Sequence, residues 1–175
     1  TNAIYGFTSI LIKAISDLKP DYIVATFDVS GGTFRHKEFP EYKAQRKKPP
    51  QELYDQIPIV KDVLRSFNIP IFEKTGFEAD DLIATVSKLK SVDNSHIESI
   101  IVTGDQDIMQ LVDENTKVFS PKKGLSETIL YDERLVTDKF DGITPGQIID
   151  YKALRGDPSD NIPGVRGIGH KGAVD

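Results

Sequence analysis

Apolar residues recur at three- and four-residue spacings in several stretches of the chain, with short unbroken apolar runs between them. Phe7, Ile10, Leu11, Ala14, Ile15 and Leu18 share one helical face, which predicts an element over 5–18 that Pro20 ends. Leu53, Ile57, Val60, Val63, Leu64 and Phe67 repeat the pattern and predict a second helix. Further helices are expected over 78–89, over 108–112, and from Thr144, a capping residue before Pro145, to about Arg155. The runs at 22–27, 69–72, 97–102, 116–119 and 128–131 are β-rich and too short for helices. Those at 22–27 and 97–102 are apolar enough for strands covered on both faces, as in a parallel sheet. Strands alternating with helices predict an α/β fold with helices on both faces of the sheet. Tyr5 and Tyr54 fall on apolar helix faces and are expected in the core.

Regular periodicity stops between Ser30 and Pro50, where the chain is polar, basic and closed by Pro49-Pro50. This predicts a long loop or arch with some helix, and long loops inside a compact domain usually carry function. Between Arg35 and Lys48 there are six basic residues, Arg35, Lys37, Lys43, Arg46, Lys47 and Lys48, against Glu38 and Glu41, a net +4. Phe34, Phe39 and Tyr42 interleave with them. Cations among aromatic rings suit the phosphates and bases of a nucleic acid. A solvated charge run over packed aromatics is the plainer alternative.

Composition sharpens this picture. The chain has 175 residues, 38% of them hydrophobic, enough for one sizeable core and too few for two. Lys plus Arg is 22 and Asp plus Glu is 27, a formal charge of −5, so any polyanion must be met by a local basic surface. The absence of cysteine excludes disulfides, thiolate nucleophiles and Cys-ligated zinc. No apolar run approaches the roughly 18 to 20 residues that cross a bilayer, and the expectation is a soluble, cytoplasmic protein that does not meet a membrane. Thr1 in place of an initiator Met, and a last motif that breaks off at Asp175, suggest a piece of something longer.

The carboxylates are unevenly placed. Asp28 follows one expected strand and Asp105 and Asp107 follow another, so all three should emerge at the carboxyl edge of a parallel sheet, where such folds bind ligands. Glu78, Asp80 and Asp81 open a helix, and Asp157 and Asp160 lie in the loop after the Thr144 helix. Eight carboxylates in one crevice would repel one another unless cations occupied it, and an all-oxygen set favours Mg²⁺ or Mn²⁺ over zinc. Each cluster also has a plain reading, a helix cap for Glu78 to Asp81 and for Asp107, a turn for Asp157 before Pro158. One ideal helix could not aim Glu78, Asp80 and Asp81 at a single ion, so either the helix starts within the stretch or the residues serve different partners.

Near the end, Gly164, Gly167, Gly169 and Gly172 punctuate Ile-Pro-Gly-Val-Arg-Gly-Ile-Gly-His-Lys-Gly-Ala. Glycines let backbone N–H groups approach an anion, and a flexible connector is the alternative. His36, His96 and His170 are isolated, and none is expected to be catalytic.

The ordered motifs A-I-Y-G-F, T-F-D with G-G-T-F-R, Y-K-A-Q-R, G-F-E-A-D-D, T-G-D-Q-D-I-M-Q-L and G-D-P-S-D-N-I-P-G-V-R-G-I-G-H-K-G-A closely resemble the bacterial 5′-3′ exonuclease family, within the flap endonuclease class. The resemblance runs from about Ala3 to Ala173. It implies a PIN-like α/β fold with a parallel-rich twisted sheet, a helical arch over about 30–50, a nuclease core over 1–140, and over 141–175 the start of a helix–three-turn–helix element packed on the same domain. Carried over by position, Asp28, Glu78, Asp80, Asp81, Asp105, Asp107, Asp157 and Asp160 match the ligands of two Mg²⁺ or Mn²⁺ ions. Tyr42, Lys43 and Arg46 match arch residues facing the scissile phosphate. DNA contacts are implied for Arg35, Lys43, Arg46, Lys47, Lys48, Gly164, Gly167, Gly169, His170 and Lys171, with a K⁺ ion at the glycine hairpin. The implied activity is hydrolysis at DNA 5′ ends and 5′ flaps in replication and repair, by a monomer; the family includes both nuclease domains joined to a DNA polymerase on one chain and stand-alone relatives, and the sequence leaves the two open. A PIN-type ribonuclease and a catalytically impaired DNA-junction binder are the alternatives. The family's first-strand aspartate would precede Thr1 and the second duplex-binding helix would follow Asp175, so weakened metal binding and duplex grip are expected. Gly172, where relatives commonly have Thr, is expected to weaken one backbone contact.

Overall fold

The structure, a computed structural model, describes residues 2–89, 97–122 and 127–175. His96 lies outside these residues. Along the chain, α1 (Asn2–Leu18) leads to β1 (Ala25–Thr26), and α2 (Phe34–Glu38) lies in the basic arch. Then come α3 (Gln51–Tyr54), α4 (Ile57–Ser66), β2 (Ile71–Phe72) and α5 (Ala79–Ser87). β3 (Ser99–Val102) is followed by a 3₁₀ turn (Asp107–Leu111), β4 (Thr116–Pro121), β5 (Thr128–Tyr131) and α6 (Glu133–Lys139). A 3₁₀ turn (Pro145–Gln147) runs into α7 (Ile148–Arg155), and α8 is His170–Val174.

The α/β class holds, with differences that have local causes. The expected helix through Leu53 to Phe67 divides into α3 and α4. Pro58 has no N–H to give the Tyr54 carbonyl and its ring would clash there, so a continuous helix is blocked. The expected strand 22–27 shrinks to two residues because only β2 pairs with it among the described residues. Tyr22 is 90% exposed, against the expectation of cover on both faces. The expected single sheet is two ladders: β1 pairs parallel with β2, while β3 pairs parallel with β4 and β4 antiparallel with β5. Tyr5 and Tyr54, expected in the core, are exposed. At 100° per residue Tyr5 lies opposite Ala14, the one buried position of α1, so it faces away from the packing that α1 makes on α4.

A single cluster of buried side chains joins the middle and end of the chain. Ile101 and Val118 from the β3–β4 ladder meet Ile108 and Met109 of the first 3₁₀ turn, Val136 of α6, Ile148 and Tyr151 of α7, and Ala173 of α8. Val118, Val136 and Ile148 are fully buried. Truncating any of them to alanine costs on the order of 2 to 4 kcal/mol by lost burial and the cavity left behind. This cluster fixes α7 and the loop after it against the carboxyl end of β3.

Candidate active site

The parallel ladders present their carboxyl ends to one crevice of about 470 Å³. Glu78, Asp80, Asp81, Asp105, Asp107, Asp157 and Asp160 line it, and Arg35, Tyr42, Lys43 and Arg46 of the arch face them. Asp28, at the end of β1, lies just outside this lining, and its carboxylate accepts a 2.7 Å hydrogen bond from the N–H of Ala79. The question of the Glu78 stretch is answered by the helix start: Glu78 is the extended N-cap of α5, and the N–H of Glu78 donates to the Asp81 carboxylate at 2.8 Å. Asp80, Asp81 and Glu78 therefore serve different partners. Arg35 grips Asp81 with two hydrogen bonds of 2.9 and 2.8 Å, a forked geometry that fixes the arch entrance to α5.

The arch closes on the acidic loop from the other side. Lys43, at a left-handed φ of 56°, donates its N–H to the Asp160 carbonyl at 3.0 Å and its ammonium to Glu78 at 2.9 Å. Arg46 reaches Asp160 at 2.5 Å and the Ser159 carbonyl at 3.1 Å. Asn161 donates to the Glu41 carbonyl at 2.8 Å. The buried Tyr42 hydroxyl lies 3.1 Å from both Glu78 and Asp160, one proton for two carboxylates. Burial, then the charges of Glu78 and Asp160, push its pKa well above the ordinary tyrosine value, so it stays a donor.

One residue that the sequence reading passed over sits at the centre. Lys152 of α7 donates to Asp107 and, at 2.7 Å, to Asp157. Burial opposes its charge, but the hydrogen bonds to Asp107 and Asp157 carry its pKa above the usual lysine value. The two carboxylates respond differently. Burial tends to raise Asp157, but Lys152 and the Ser159 hydroxyl and N–H outweigh it and hold that carboxyl at about 2. Burial lifts Asp107 by more than Lys152 lowers it, with Asp105 and Asp157 adding to the rise. The sequence signal was present: a lysine one turn before the end of a helix, five residues ahead of an aspartate in the next loop. Arg35, Lys43, Arg46 and Lys152 supply four cations to the carboxylates from the chain itself, in addition to any that solvent provides.

These four do not cover every carboxylate. Asp80 pairs with none of them, and burial, then the charges of Asp105 and Asp28, push its carboxyl up to about 6. Asp107, Asp157 and Asp160 each bring an oxygen to within 4.8 Å of the others. This all-oxygen donor set fits a hard divalent cation.

The remaining expected contacts lie outside the crevice. Lys47, Lys48, Gly167, Gly169 and Lys171 are exposed. Gly164 instead packs against Gly156. His170 is bridged by both ring nitrogens, one 2.8 Å from the Tyr151 hydroxyl and the other 2.8 Å from Asp141. His36 caps α2 through Thr33 and takes no part in the crevice.

A family described as 5′-3′ exonuclease, N-terminal resolvase-like domain, matches residues 1–141, and one described as 5′-3′ exonuclease, C-terminal SAM fold, matches residues 143–175. The chain belongs to the 5′-3′ exonuclease family. DNA polymerase I of Mycobacterium tuberculosis is 47% identical over 174 residues, covering 99% of this chain and 19% of that protein. The chain thus spans about a fifth of the length of the curated relatives it matches. A bacteriophage T5 5′-exonuclease with bound zinc is 26% identical with a TM-score of 0.77, covering 98% of this chain and 65% of that one. The bacteriophage T5 flap endonuclease, solved with DNA and metal ions, is 28% identical with a TM-score of 0.75, covering 96% of this chain and 63% of that one. Within this family fold, the acidic crevice is lined by the arch residues Arg35, Tyr42, Lys43 and Arg46, and no described helix is long and apolar enough to cross a membrane.

Proposed function

We propose that this chain is the nuclease part of a DNA polymerase I, a divalent-metal-dependent 5′-3′ exonuclease and 5′-flap endonuclease that hydrolyses DNA phosphodiesters. The observation that carries the reading is the meeting of Asp107, Asp157 and Asp160 with Tyr42, Lys43 and Arg46 in one crevice. Two Mg²⁺ or Mn²⁺ ions would be held by these aspartates together with Asp80, Asp105, Glu78 and Asp28. When bound, such ions lower the pKa of a coordinated water and stabilise charge on phosphoryl oxygens.

The chain's own residues do the rest. Lys43 and Arg46 exchange Glu78 and Asp160 for the oxygens of the substrate phosphate, where positive charge counts most as negative charge develops. Tyr42, kept protonated, donates its hydroxyl and holds the arch in place. Lys152 holds Asp107 and Asp157 in place and neutralises them, and these two carboxylates would be free to hold metal only where Lys152 turns away. Asp81 acts through Arg35, positioning the arch. Lys47, Lys48 and the segment from Gly167 to Lys171 hold the DNA backbone outside the crevice, with K⁺ at the hairpin.

Cleavage of a 5′-flap DNA and of a single-stranded RNA, each with Mg²⁺, Mn²⁺ or EDTA, tests the reading. Metal-dependent cut DNA and intact RNA are expected. Preferential RNA cleavage makes the chain a ribonuclease, and tight junction binding without cleavage under any metal makes it a binding module. Asp105→Asn and Asp107→Asn should each lower the DNA rate by orders of magnitude with the fold intact, and normal cleavage by both would remove this site.

A further inference from the structure

A second cleft of about 370 Å³ opens on the same acidic wall, sharing Asp105, Asp107, Lys152 and Asp157 with the crevice. No arch residue lines it; Gly104, Phe140, Tyr151, Arg155 and Ser159 do. The basic side chains of the crevice are all paired with carboxylates. Arg155 is different. Among the described residues no carboxylate lies within 4.0 Å of its guanidinium, whose partner is the neutral Tyr151 hydroxyl at 2.9 Å.

That hydroxyl is itself oriented. The Tyr151 oxygen accepts from Arg155 and lies in hydrogen-bond contact with His170 Nδ1 at 2.8 Å, and His170 Nε2 donates to Asp141 at 2.8 Å. The Arg155 side chain also lies over the Tyr151 ring, 5.7 Å from its centroid. Tyr151 is 3% exposed and the relay starts from a buried ring, so a long side chain at an exposed position is given one direction, toward the cleft. An oriented arginine with unused donors and no anionic partner is suited to a forked contact with a phosphate.

We infer that this cleft is a phosphodiester subsite, with Arg155 its clamp and Tyr151 and His170 the residues that position the clamp. Its occupant is a linkage adjoining the scissile one on the same DNA strand, because the two clefts share one wall. The inference rests on the nuclease reading above and deepens it. The Arg155 contact fixes the strand's register against Asp105 and Asp107, and so which bond is cut.

The test pairs a protein change with a substrate change. Single neutral methylphosphonates are placed in a 5′-flap DNA one linkage to either side of the cleaved bond, and single-turnover rates are compared for wild type and Arg155→Ala. Loss of a charge-assisted hydrogen bond corresponds to roughly a tenfold slower rate. The expected result is that one methylphosphonate position slows wild type by about that factor and slows Arg155→Ala no further, with a shifted cleavage position in both cases. Tyr151→Phe should give an intermediate loss at the same linkage. Equal methylphosphonate effects in wild type and Arg155→Ala at both linkages overturn the subsite, whatever the rate of the variant. Failure of wild type to cut the unmodified flap counts against the nuclease reading instead, and the same comparison is then made on equilibrium binding of these oligonucleotides, judged by the same non-additivity.

Discussion

Gly164 lies against Gly156 so closely that a Cβ on Gly164 would fall 2.4 Å from the Gly156 nitrogen. Both glycines have positive φ, +65° and +82°, so space and backbone conformation exclude a side chain together. Between them, Asp157 and Ile162 exchange two 2.8 Å backbone hydrogen bonds, and the Val165 N–H donates to the Leu154 carbonyl at 2.8 Å. The closed loop that results is what carries Asp157 and Asp160 to the crevice. A glycine that resemblance assigned to DNA thus acts first on the acidic site, through packing.

Gly164→Ala is therefore expected to cost on the order of 2 to 4 kcal/mol, from strain at the left-handed φ and collision with backbone that cannot yield. For a domain of this size that lowers the melting temperature by roughly 5 to 15 °C. Gly172→Ala is the comparison: its nearest neighbour would be the side chain of Ile168, just before α8, at 3.7 Å, an ordinary contact. It should be neutral or stabilising by about 0.5 kcal/mol. Similar melting shifts for the two variants would show that the Gly156 contact does not hold the loop.

Lys152 pairs with Asp107 and Asp157, two of the carboxylates proposed above to hold divalent metal, so on that proposal the lysine and the metal compete. Lys152→Met leaves those carboxylates without their cation, so the variant should melt lower than wild type in EDTA, by about 1 to 3 kcal/mol for partly buried charges that lose a partner. Adding Mg²⁺ should then raise its melting temperature more than it raises that of wild type. An equal Mg²⁺ increment in both proteins would mean that Lys152 and the metal do not share ligands.

Much of this site was legible in the sequence, and the reasons differ by residue. Asp28, Asp105 and Asp107 could be placed because a parallel strand delivers the residue after it to a known edge. The basic, aromatic stretch around Tyr42, Lys43 and Arg46 stood out by its lack of periodicity, but only the family resemblance singled out these three among its six cations and three rings. Lys152 was hidden because it sits on an amphipathic helix, where a lysine reads as a solvated face until the next loop folds back over it. The relay from Asp141 through His170 and Tyr151 to Arg155 joins residues up to 29 positions apart and has no local pattern. The shortness of β1 was equally illegible, since an apolar run reports burial propensity and its pairing depends on which neighbour reaches it.

Asp80 is raised to about 6 by burial and by Asp105 and Asp28, against about 3.9 in an unfolded chain. The folded state thus binds the Asp80 proton more tightly, so its favourable contribution is complete below about pH 4 and lost as pH rises through about 6. Asp80→Asn should accordingly be more stable than wild type at pH 8 in EDTA. After allowance for solvent screening at a partly exposed group the gain is roughly 1 kcal/mol, or about 2 to 4 °C. The advantage should shrink by pH 4, and the variant should cleave DNA far more slowly with Mg²⁺ present. Melting curves across pH 4 to 8 check this; no gain at pH 8 would place Asp80 in a neutralised environment.

Lys43 and Arg46 meet Glu78 and Asp160 at 2.9 and 2.5 Å, so in the proposed reaction the arch is held by the same carboxylates that it would release to a phosphate. Two effects of Lys43→Ala or Arg46→Ala then oppose each other. The arch loses an anchor, and the crevice carboxylates lose a competitor for metal, so DNA affinity at moderate salt should fall only a few-fold. The transition state carries more charge on the phosphoryl oxygens than the bound substrate does, and interactions made there alone set the chemical rate. Single-turnover cleavage should therefore fall by roughly a hundredfold or more in each variant, well beyond the loss in binding. Lys47→Ala supplies the contrast, since Lys47 is exposed and outside the crevice lining: it should weaken binding slightly, flatten the salt dependence, and leave the saturated rate unchanged. If Lys43→Ala and Arg46→Ala instead follow the Lys47→Ala pattern, the arch is an electrostatic collar and the phosphate is held elsewhere.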